Sequence, residues 1–405
     1  MNDFGVHLRD RIGAETLPPS RISATGLVAE GRRVRRRRRR LSVGAGAAVL
    51  AVLAGVAFSL PGVDPGPRPG PGIAAGTPSE RTPLTRAEVE AAMICAGVRL
   101  ALPPEAIRGA VDTGSPDGRY LAGSYSTAES QVIAVRWDGD RVERIPVDGW
   151  ASANGVDDRG VVVGSAFRGG EQRIAWAYVD GKVVELPVPA GHTGAEARGI
   201  NARGEVAGVV YQGSVTRAAI WRGTTATARV DVLTGLPGGR TFATGISDSG
   251  VTAGVSGAGG DAYRWDASGR GSLLPRPAGL GRAGAHGVRG ELAYGVAHPA
   301  GAAAGTGTPD GAPGRDEPGV AVVWDLRTGA VTEVGSGVVG AVNGRDHLVL
   351  NRRDGSGVRL RYPDGRLRHV TADNAGNPSG ATISEDGTRI GGRSDDWPIR
   401  WTCPS

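Results

Sequence analysis

The side chains of this chain that could do chemistry are few and widely spaced. The histidines form no close pair of the spacing that holds a metal ion; they are His7, His192, His286, His298, His347 and His369. No Gly-x-Ser-x-Gly elbow stands between a strand and a helix. The glycines stand at hairpin turns and not before helices, unlike those of a phosphate-binding loop. We therefore expect no catalytic residue, no metal and no cofactor.

The carboxylates stand mostly in turns, where an aspartate accepts hydrogen bonds from its own backbone. Those in turns include Asp138, Asp140, Asp157, Asp158, Asp386, Asp395 and Asp396. Turn capping is the favoured interpretation, and calcium binding or catalysis is the alternative. The sequence thus favours a protein that is not an enzyme.

A degenerate Gly-x-x-x-Gly pattern followed by an aromatic residue recurs in seven copies. They begin at Gly118, Gly160, Gly204, Gly250, Gly290, Gly344 and Gly387, which are 42, 44, 46, 40, 54 and 43 residues apart. The aromatic residues are Trp137, Trp176, Trp221, Trp265, Trp324, Tyr362 and Trp401. A period in the forties with one aromatic per unit is typical of propeller blades. We expect each aromatic to pack between blades.

The third copy predicts how each unit folds. Residues 199–201 suit a short inner strand, and residues 205–211 suit a second strand in which Gly208 stands where a side chain would crowd a neighbour. Residues 218–221 and 228–233 suit a third and a fourth strand. The expected fold class is all-β, a seven-bladed propeller of four-stranded blades. The long fifth interval predicts a disordered insertion at 298–318.

Residues 153–164, 243–254 and 381–392 repeat this template. The series resembles the HAF family of extracellular repeats, whose motif is A-x-G-I-N-x-x-G-x-x-x-G followed by A-F-x-W, as in Ala-Tyr-Arg-Trp at 262–265. The resemblance covers about residues 97–402. It departs from the motif at Ser247 and at Arg289, where the fifth copy also carries one extra residue. The resemblance implies an extracellular repeat protein.

The two ends of the array predict how the ring closes. The last copy stops after its third strand, and residues 97–103 match the fourth strands of other copies, so we expect the N-terminal segment to supply the missing strand. The propeller then spans 97–405. Cys95 and Cys403 fall at this seam, where a disulfide would close a loop of roughly 300 residues. Two unrelated buried thiols are the alternative.

An arginine run meets a long uncharged stretch near the N-terminus. The run is Arg35, Arg36, Arg37, Arg38, Arg39 and Arg40, and the stretch is 41–60. That length suits one transmembrane helix, with the arginines on the cytoplasmic side. We expect a basic cytoplasmic tail over 1–40, a Pro/Gly-rich spacer over 61–84, and a short helix and seam over 85–96. Val89, Met93 and Ile94 would share the apolar face of that helix.

The arginine run has three interpretations: membrane topology with anionic-lipid contact, a twin-arginine export signal at Arg39 and Arg40, or nucleic acid binding. Residues 1–40 carry a net charge of +7 and the remaining 365 residues a net of −1, so nothing in the body favours nucleic acid. An uncleaved anchor is favoured over cleavage at 55–57, which would release a secreted protein.

These observations give three hypotheses of function. The first is a membrane-anchored extracytoplasmic propeller that binds an extracellular ligand or protein. The second is signalling, because the tail over 1–40 resembles in layout the tails of actinobacterial single-pass proteins that lie beside sigma factors. The near-exclusive use of arginine, with Lys182 as the one lysine, suits a GC-rich genome. The third is an exported hydrolase or lyase. The ligand and the binding face do not follow from the repeats.

Overall fold

The computed structural model describes residues 94–404, apart from 170–171, 236–239, 258–260, 301–318, 353–356 and 372–375. Across these residues the regular secondary structure consists of 28 β-strands, without a helix. The predicted all-β class is confirmed. The tail with its arginine run, the transmembrane segment 41–60, the spacer and the helix over 85–93 lie outside the described residues.

Five sheets each contain four antiparallel strands in chain order. The first contains β2 (Ala106–Gly114), β3 (Tyr120–Thr127), β4 (Val132–Asp138) and β5 (Arg141–Arg144). The second contains β6 (Trp150–Val156), β7 (Val162–Arg168), β8 (Gln172–Val179) and β9 (Lys182–Glu185). The third contains β10 (Gly194–Ile200), β11 (Val206–Gln212), β12 (Val215–Trp221) and β13 (Val230–Val232). The fourth contains β14 (Thr241–Ile246), β15 (Thr252–Ser256), β16 (Asp261–Trp265) and β17 (Gly271–Leu273). The fifth contains β18 (Leu280–Arg289), β19 (Leu292–Pro299), β20 (Val320–Asp325) and β21 (Val331–Ser336).

A sixth sheet holds eight strands and joins the two ends of the described chain. One half contains β22 (Val338–Val342), β23 (Leu348–Asn351), β24 (Val358–Arg361) and β25 (Leu367–Val370). The other half contains β26 (Pro378–Ile383), β27 (Arg389–Ser394) and β28 (Trp397–Thr402). Strand β1 (Ile94–Arg99) lies between the halves, antiparallel to β28 and parallel to β25.

Two predicted boundaries were wrong. Ile94, assigned to a helix, belongs to β1, because Ile94 and Cys95 pair with His369 and Val370 and so extend the strand beyond the expected start at Gly97. His298, assigned to the insertion at 298–318, belongs to β19, where it pairs with Arg282. Residues 301–318 lie outside the part of the chain that the structure describes.

The core lies between successive sheets and contains the repeated aromatic residues. The six tryptophans of the series have no exposed surface, whereas Tyr362 is half-buried. Trp176 of the second sheet packs with Tyr120 and Ile145 of the first. Most of the indoles also donate a hydrogen bond to a carbonyl oxygen just beyond the strand that ends the preceding sheet. These pairs are Trp137–Ala101, Trp221–Pro187, Trp265–Thr234, Trp324–Pro275 and Trp401–Thr371.

The first strand of each unit (β2, β6, β10, β14, β18, β22 and β26), which we call the innermost strand, carries a β-bulge. A glycine of the next strand lies opposite that bulge in every copy but the sixth, which has Leu350 there. In the third sheet Gly208 pairs with Ala197, and the register shifts between Ala197 and Gly199. A Cβ on Gly208 would lie 2.0 Å from the carbonyl oxygen of Glu196. This contact is the crowding predicted for Gly208, and it explains why a glycine stands there. At the bulge the strand register passes from Ala197 to Gly199, so Arg198 is the extra residue of the bulge.

The predicted disulfide is present. Cys95 and Cys403 are bonded, with a Cα–Cα distance of 4.2 Å and 308 residues between them in the chain. The bond joins β1 to the residue that follows β28. Both cysteines are buried against Val370 and Ile399. In the described ranges no helix has the length and apolar character to cross a bilayer.

Candidate functional site

Six of the seven residues at the bulge that the copies share line a common cavity of about 190 Å³. Those that line it with polar side chains are Asp112, Asn154, Arg198, Thr244 and His286. The sixth and seventh copies have Gly340 and Ala381 at the same bulge. We call the five polar side chains and the space between them the axial site. Bulges commonly re-aim a side chain next to a functional site.

The carboxylate of Asp112 is the acidic group of the axial site. The Asp112 side chain is exposed to the space inside the cavity, and the walls of that cavity are protein. This burial raises the pKa of Asp112 to about 6, although a hydrogen bond from the Ser124 hydroxyl, at 3.3 Å, and the charge of Arg393 oppose the shift. Asp112 therefore exchanges its proton close to neutral pH.

The imidazole of His286 and the phenol of Tyr294 are both held neutral. Burial, and after it the nearby His298, lowers the pKa of His286 to about 4. Burial also raises the pKa of Tyr294, against the smaller opposite effect of Arg289. A neutral imidazole has one donor and one acceptor nitrogen. The two rings can therefore bind polar groups of a ligand without requiring a charge on it.

The guanidinium of Arg198 is neutralised from outside the cavity. Its Nη2 donates to a carboxylate oxygen of Glu196 at 2.6 Å, and Glu196 also accepts from Arg173 and from the Tyr211 hydroxyl. Burial alone would raise the pKa of Glu196, but Arg198, Tyr211 and Arg173 together hold it below the usual value. Only 3% of the Glu196 surface is exposed. This network fixes the position of Arg198 at the cavity wall.

A wider cavity of about 630 Å³ adjoins the axial site and shares Ile200, Ile246, Val288 and Arg289 with it. Arg289 spans the boundary between the two, because its Nη2 donates to the carbonyl oxygen of Gly114 on the first sheet. The arginine that departs from the repeat motif thus lies across the entrance to the axial site. We call the wider cavity the mouth.

The turns after the innermost strands form the wall of the mouth. In the second copy Asp157 accepts hydrogen bonds from the amides of Arg159 and Val161, at 3.0 and 2.9 Å, as an aspartate does in turn capping. Asp158 instead reaches the neighbouring turn and accepts from the amide of Asp117 at 2.8 Å. Burial, more than any other effect, raises the pKa of Asp158.

Four of the five other aspartates singled out from the sequence are also engaged, with residues either near or distant in the chain. Asp138 pairs with Arg119, Asp140 with Arg400, Asp386 accepts from the amide of Thr388, and Asp395 from the amide of Asn377. In the described residues no three His, Cys, Asp or Glu side chains are grouped so that they could hold a metal ion.

Five of the repeat glycines occupy the same turn position, with positive φ. They are Gly118, Gly160, Gly204, Gly250 and Gly387. The sixth copy differs, because Asp346, at φ 60°, holds that position and Gly344 lies two residues earlier in the turn. In the fifth copy Gly290, at φ 53°, lies in a two-residue connection between Arg289 and Leu292.

The axial site was not predicted from the sequence. The signal was present in the motif Ala-x-Gly, where Ala and Gly recur and the residue between them changes from copy to copy. Asn154, Arg198 and Thr244 are such residues. Ala and Gly build the bulge, so the residue between them is the one that can vary in type without disturbing the fold.

Comparison with known proteins supports the fold. No family model matches the chain, and neither does any curated protein. Among solved structures the chain is similar to a streptogramin B lyase, at 12% identity over 76% of this chain and 97% of that one, with a TM-score of 0.51. It is also similar to the β-propeller domain of the Trilobed protease from Pyrococcus furiosus, at 10% identity over 73% and 94% of the two chains, with a TM-score of 0.44. For TolB from Acinetobacter baumannii the identity is 13%, the coverage 71% and 64%, and the TM-score 0.41. The described part of this chain is a β-propeller.

Proposed function

We propose that this protein is a membrane-anchored extracytoplasmic β-propeller of seven blades that acts as a binding scaffold through its axial site and mouth. The observation that carries the proposal is the convergence on a single cavity of one variable polar side chain from each of the first five repeats. Ligand sites of folded proteins are concave and contain a few placed polar groups. In this propeller the repeats supply the rigid wall and the bulges supply the polar groups.

Three contacts support seven blades closed by the N-terminal strand. Strand β1 completes the sheet of β26 to β28 as its fourth strand. The amide of Gly109 on β2 donates to the carbonyl oxygen of Asp396 at 2.8 Å, and Arg389 on β27 donates to the carbonyl oxygen of Gly118 at 3.2 Å. Both of these hydrogen bonds join the first blade to the last, which supports a closed ring.

The size of the axial site limits what enters it. A volume of about 190 Å³ holds roughly six water molecules, so it accepts a small polar group and not a whole drug-sized ligand. The mouth, at about 630 Å³, has room for the rest of such a molecule. We therefore propose a ligand that places one polar end next to Asp112 and His286, such as the end of a sugar chain or of a peptide.

Export and anchoring are proposed from the sequence. The arginine run, the uncharged stretch 41–60 and the likeness to extracellular HAF repeats all favour an N-terminus in the cytoplasm and a propeller outside. The disulfide adds to this, because such bonds persist in oxidising compartments.

A binding screen with a matched pair of variants tests the proposal. Full-length protein in detergent is heated with a panel of monosaccharides and dipeptides, and Tm is recorded. A ligand of the axial site raises the Tm of the wild type and of Asp180→Asn but not that of Asp112→Asn. Asp180 is a suitable control because it is exposed in a turn at φ 49°, where asparagine fits. Equal shifts in all three proteins would place binding elsewhere.

Signalling through the cytoplasmic tail is the second candidate. The basic tail over 1–40 favours contact with a sigma factor or another acidic regulator. A pull-down with residues 1–40 that recovers a sigma factor supports this candidate, and its failure to recover one removes it.

Exported hydrolase or lyase activity is the third candidate. Its support is the raised pKa of Asp112, about 6, because a general base works best with a pKa near the operating pH. Turnover of any compound by wild type but not by Asp112→Asn would favour an enzyme over a scaffold.

A further inference from the structure

A second cavity of about 670 Å³ lies apart from the axial site, between the fifth blade and the sixth. Its walls come from the end of β21, from β23 and β24, and from the turn into β25. It shares no lining residue with the axial site or the mouth. We call it the arginine cleft, after Arg352, Arg359 and Arg361 in its lining.

The described residues that line the cleft bring positive charge together and include no carboxylate. Arg359 and Arg361 alternate along β24 and so point to the same side of the sheet. Both are half-buried, and neither guanidinium donates a hydrogen bond to, or forms an ion pair with, any residue that the structure describes. Partial burial of a guanidinium without a partner is unfavourable.

Other half-buried arginines of this protein have a carboxylate partner within the chain, as two examples show. Arg136 contacts Glu143 at 2.6 Å, and Arg222 contacts both Glu205 and Asp231, at 2.7 and 2.8 Å. Arg359 and Arg361 therefore differ from Arg136 and Arg222, whose charge a carboxylate of this chain neutralises. An anion from outside the chain would provide the missing counter-charge.

The rest of the lining suits an anion with more than one charged oxygen. Val334, Leu350 and Leu367 provide apolar surface, which lowers the local dielectric and strengthens the attraction between opposite charges. Ser336 adds a hydroxyl group. The amide of Asn351 is already engaged with Gly380, so it takes no part.

We propose that the arginine cleft binds an oxyanion, a phosphate or a carboxylate group, on a multivalent ligand. The guanidinium group matches both anions because it donates two parallel hydrogen bonds. The volume exceeds that of a single phosphate, so the two arginines can bind two neighbouring anionic groups of one molecule.

Calorimetric titration of the full-length protein tests this. Pyrophosphate and citrate are the probes, at an ionic strength held constant with potassium chloride. The wild type binds at least one of them, and the probe preferred identifies phosphate or carboxylate as the natural group. The double substitution Arg359→Gln with Arg361→Gln weakens that binding by roughly tenfold or more, since charge-assisted hydrogen bonds are lost.

The control is Arg229→Gln, which removes the same charge from a side chain that is 73% exposed and paired with Asp231. It leaves affinity unchanged. The single variant Arg361→Gln gives an intermediate affinity and covers the case in which the double variant does not fold. Binding by the double variant as tight as that of the wild type, or no heat with either probe at millimolar concentration, would overturn the proposal.

Discussion

The indole Nε1 of Trp137 donates a hydrogen bond to the carbonyl oxygen of Ala101 at 2.7 Å. Trp221 makes the same bond to Pro187, at 2.8 Å, just beyond the fourth strand of the second blade. Ala101 therefore stands in the place that a fourth strand's end occupies elsewhere, and β1 behaves toward the first blade as part of the blade before it. This equivalence supports the proposal that the N-terminal strand closes the ring.

Removing the disulfide is expected to destabilise the propeller. Replacing both Cys95 and Cys403 by serine leaves no reactive thiol and frees a loop defined by a separation of 308 residues. The entropy of closing that loop predicts that the free energy of unfolding falls by on the order of 5 kcal/mol. Chemical unfolding under non-reducing conditions measures it, with reduced wild type as the control. A loss below about 1 kcal/mol would mean that strand pairing alone holds the junction.

A methyl group opposite a bulge is expected to be far less tolerated than one at a turn. Gly208→Ala would place its Cβ 2.0 Å from the Glu196 carbonyl oxygen, so the backbone must shift. We expect the free energy of unfolding of Gly208→Ala to be about 3 kcal/mol lower than that of the wild type. Gly213→Ala is the matched control, because it has open space around it and costs only about 1 kcal/mol for its φ of 57°. Equal losses in the two variants would contradict the bulge account.

Asp112 is expected to make stability fall as pH rises from about 4 to about 6. Its pKa is about 6 in the folded protein and 3.8 as a free group, so the folded state binds the proton more tightly in this range. Stability is then lost as the carboxyl ionises. Asp112→Asn removes this loss, so it should be more stable than the wild type at pH 7 and equal to it near pH 4.

Thermal unfolding across this pH range measures the difference. Asp180→Asn serves as the reference, since it changes an exposed turn aspartate. A constant difference between Asp112→Asn and wild type at every pH would show that the Asp112 carboxyl does not titrate as described.

Glu196→Gln is expected to lower the free energy of unfolding by about 3 kcal/mol. The substitution removes the buried carboxylate that neutralises both Arg173 and Arg198. Glu185→Gln is the control. Its ion pair with Arg168 is exposed, with 54% of the Glu185 side chain open to solvent, so its loss should cost less than 1 kcal/mol. Urea unfolding of both variants compares the two. Similar losses would mean that the network around Glu196 contributes no more than a surface pair.

Much of the fold followed from the sequence because its determinants repeat. Trp221 and its equivalents recur at one strand position, and Cys95 and Cys403 stand where a hairpin turn is missing, so counting copies led to the bonded seam. The limits of β1 did not follow, since Ile94 reads as part of an apolar helix face until its pairing with His369 is known.

The axial site did not follow from the sequence, for a related physical reason. A repeat is recognised by what stays constant, whereas Asp112 and His286 stand where the copies differ. Side chains alternate between the two faces of a regular strand, and a bulge interrupts that alternation. The sequence pattern of β10 therefore does not show on which side of the sheet Arg198 lies. Only the register between β10 and β11 reveals it.

The state of the two cysteines in living cells tests the central claim most directly, since it bears on ring closure and on export together. Intact cells are treated with an alkylating reagent, and the peptides that contain Cys95 and Cys403 are weighed by mass spectrometry without reduction. The account predicts one linked pair of peptides without alkylation. Two separately alkylated peptides would contradict it.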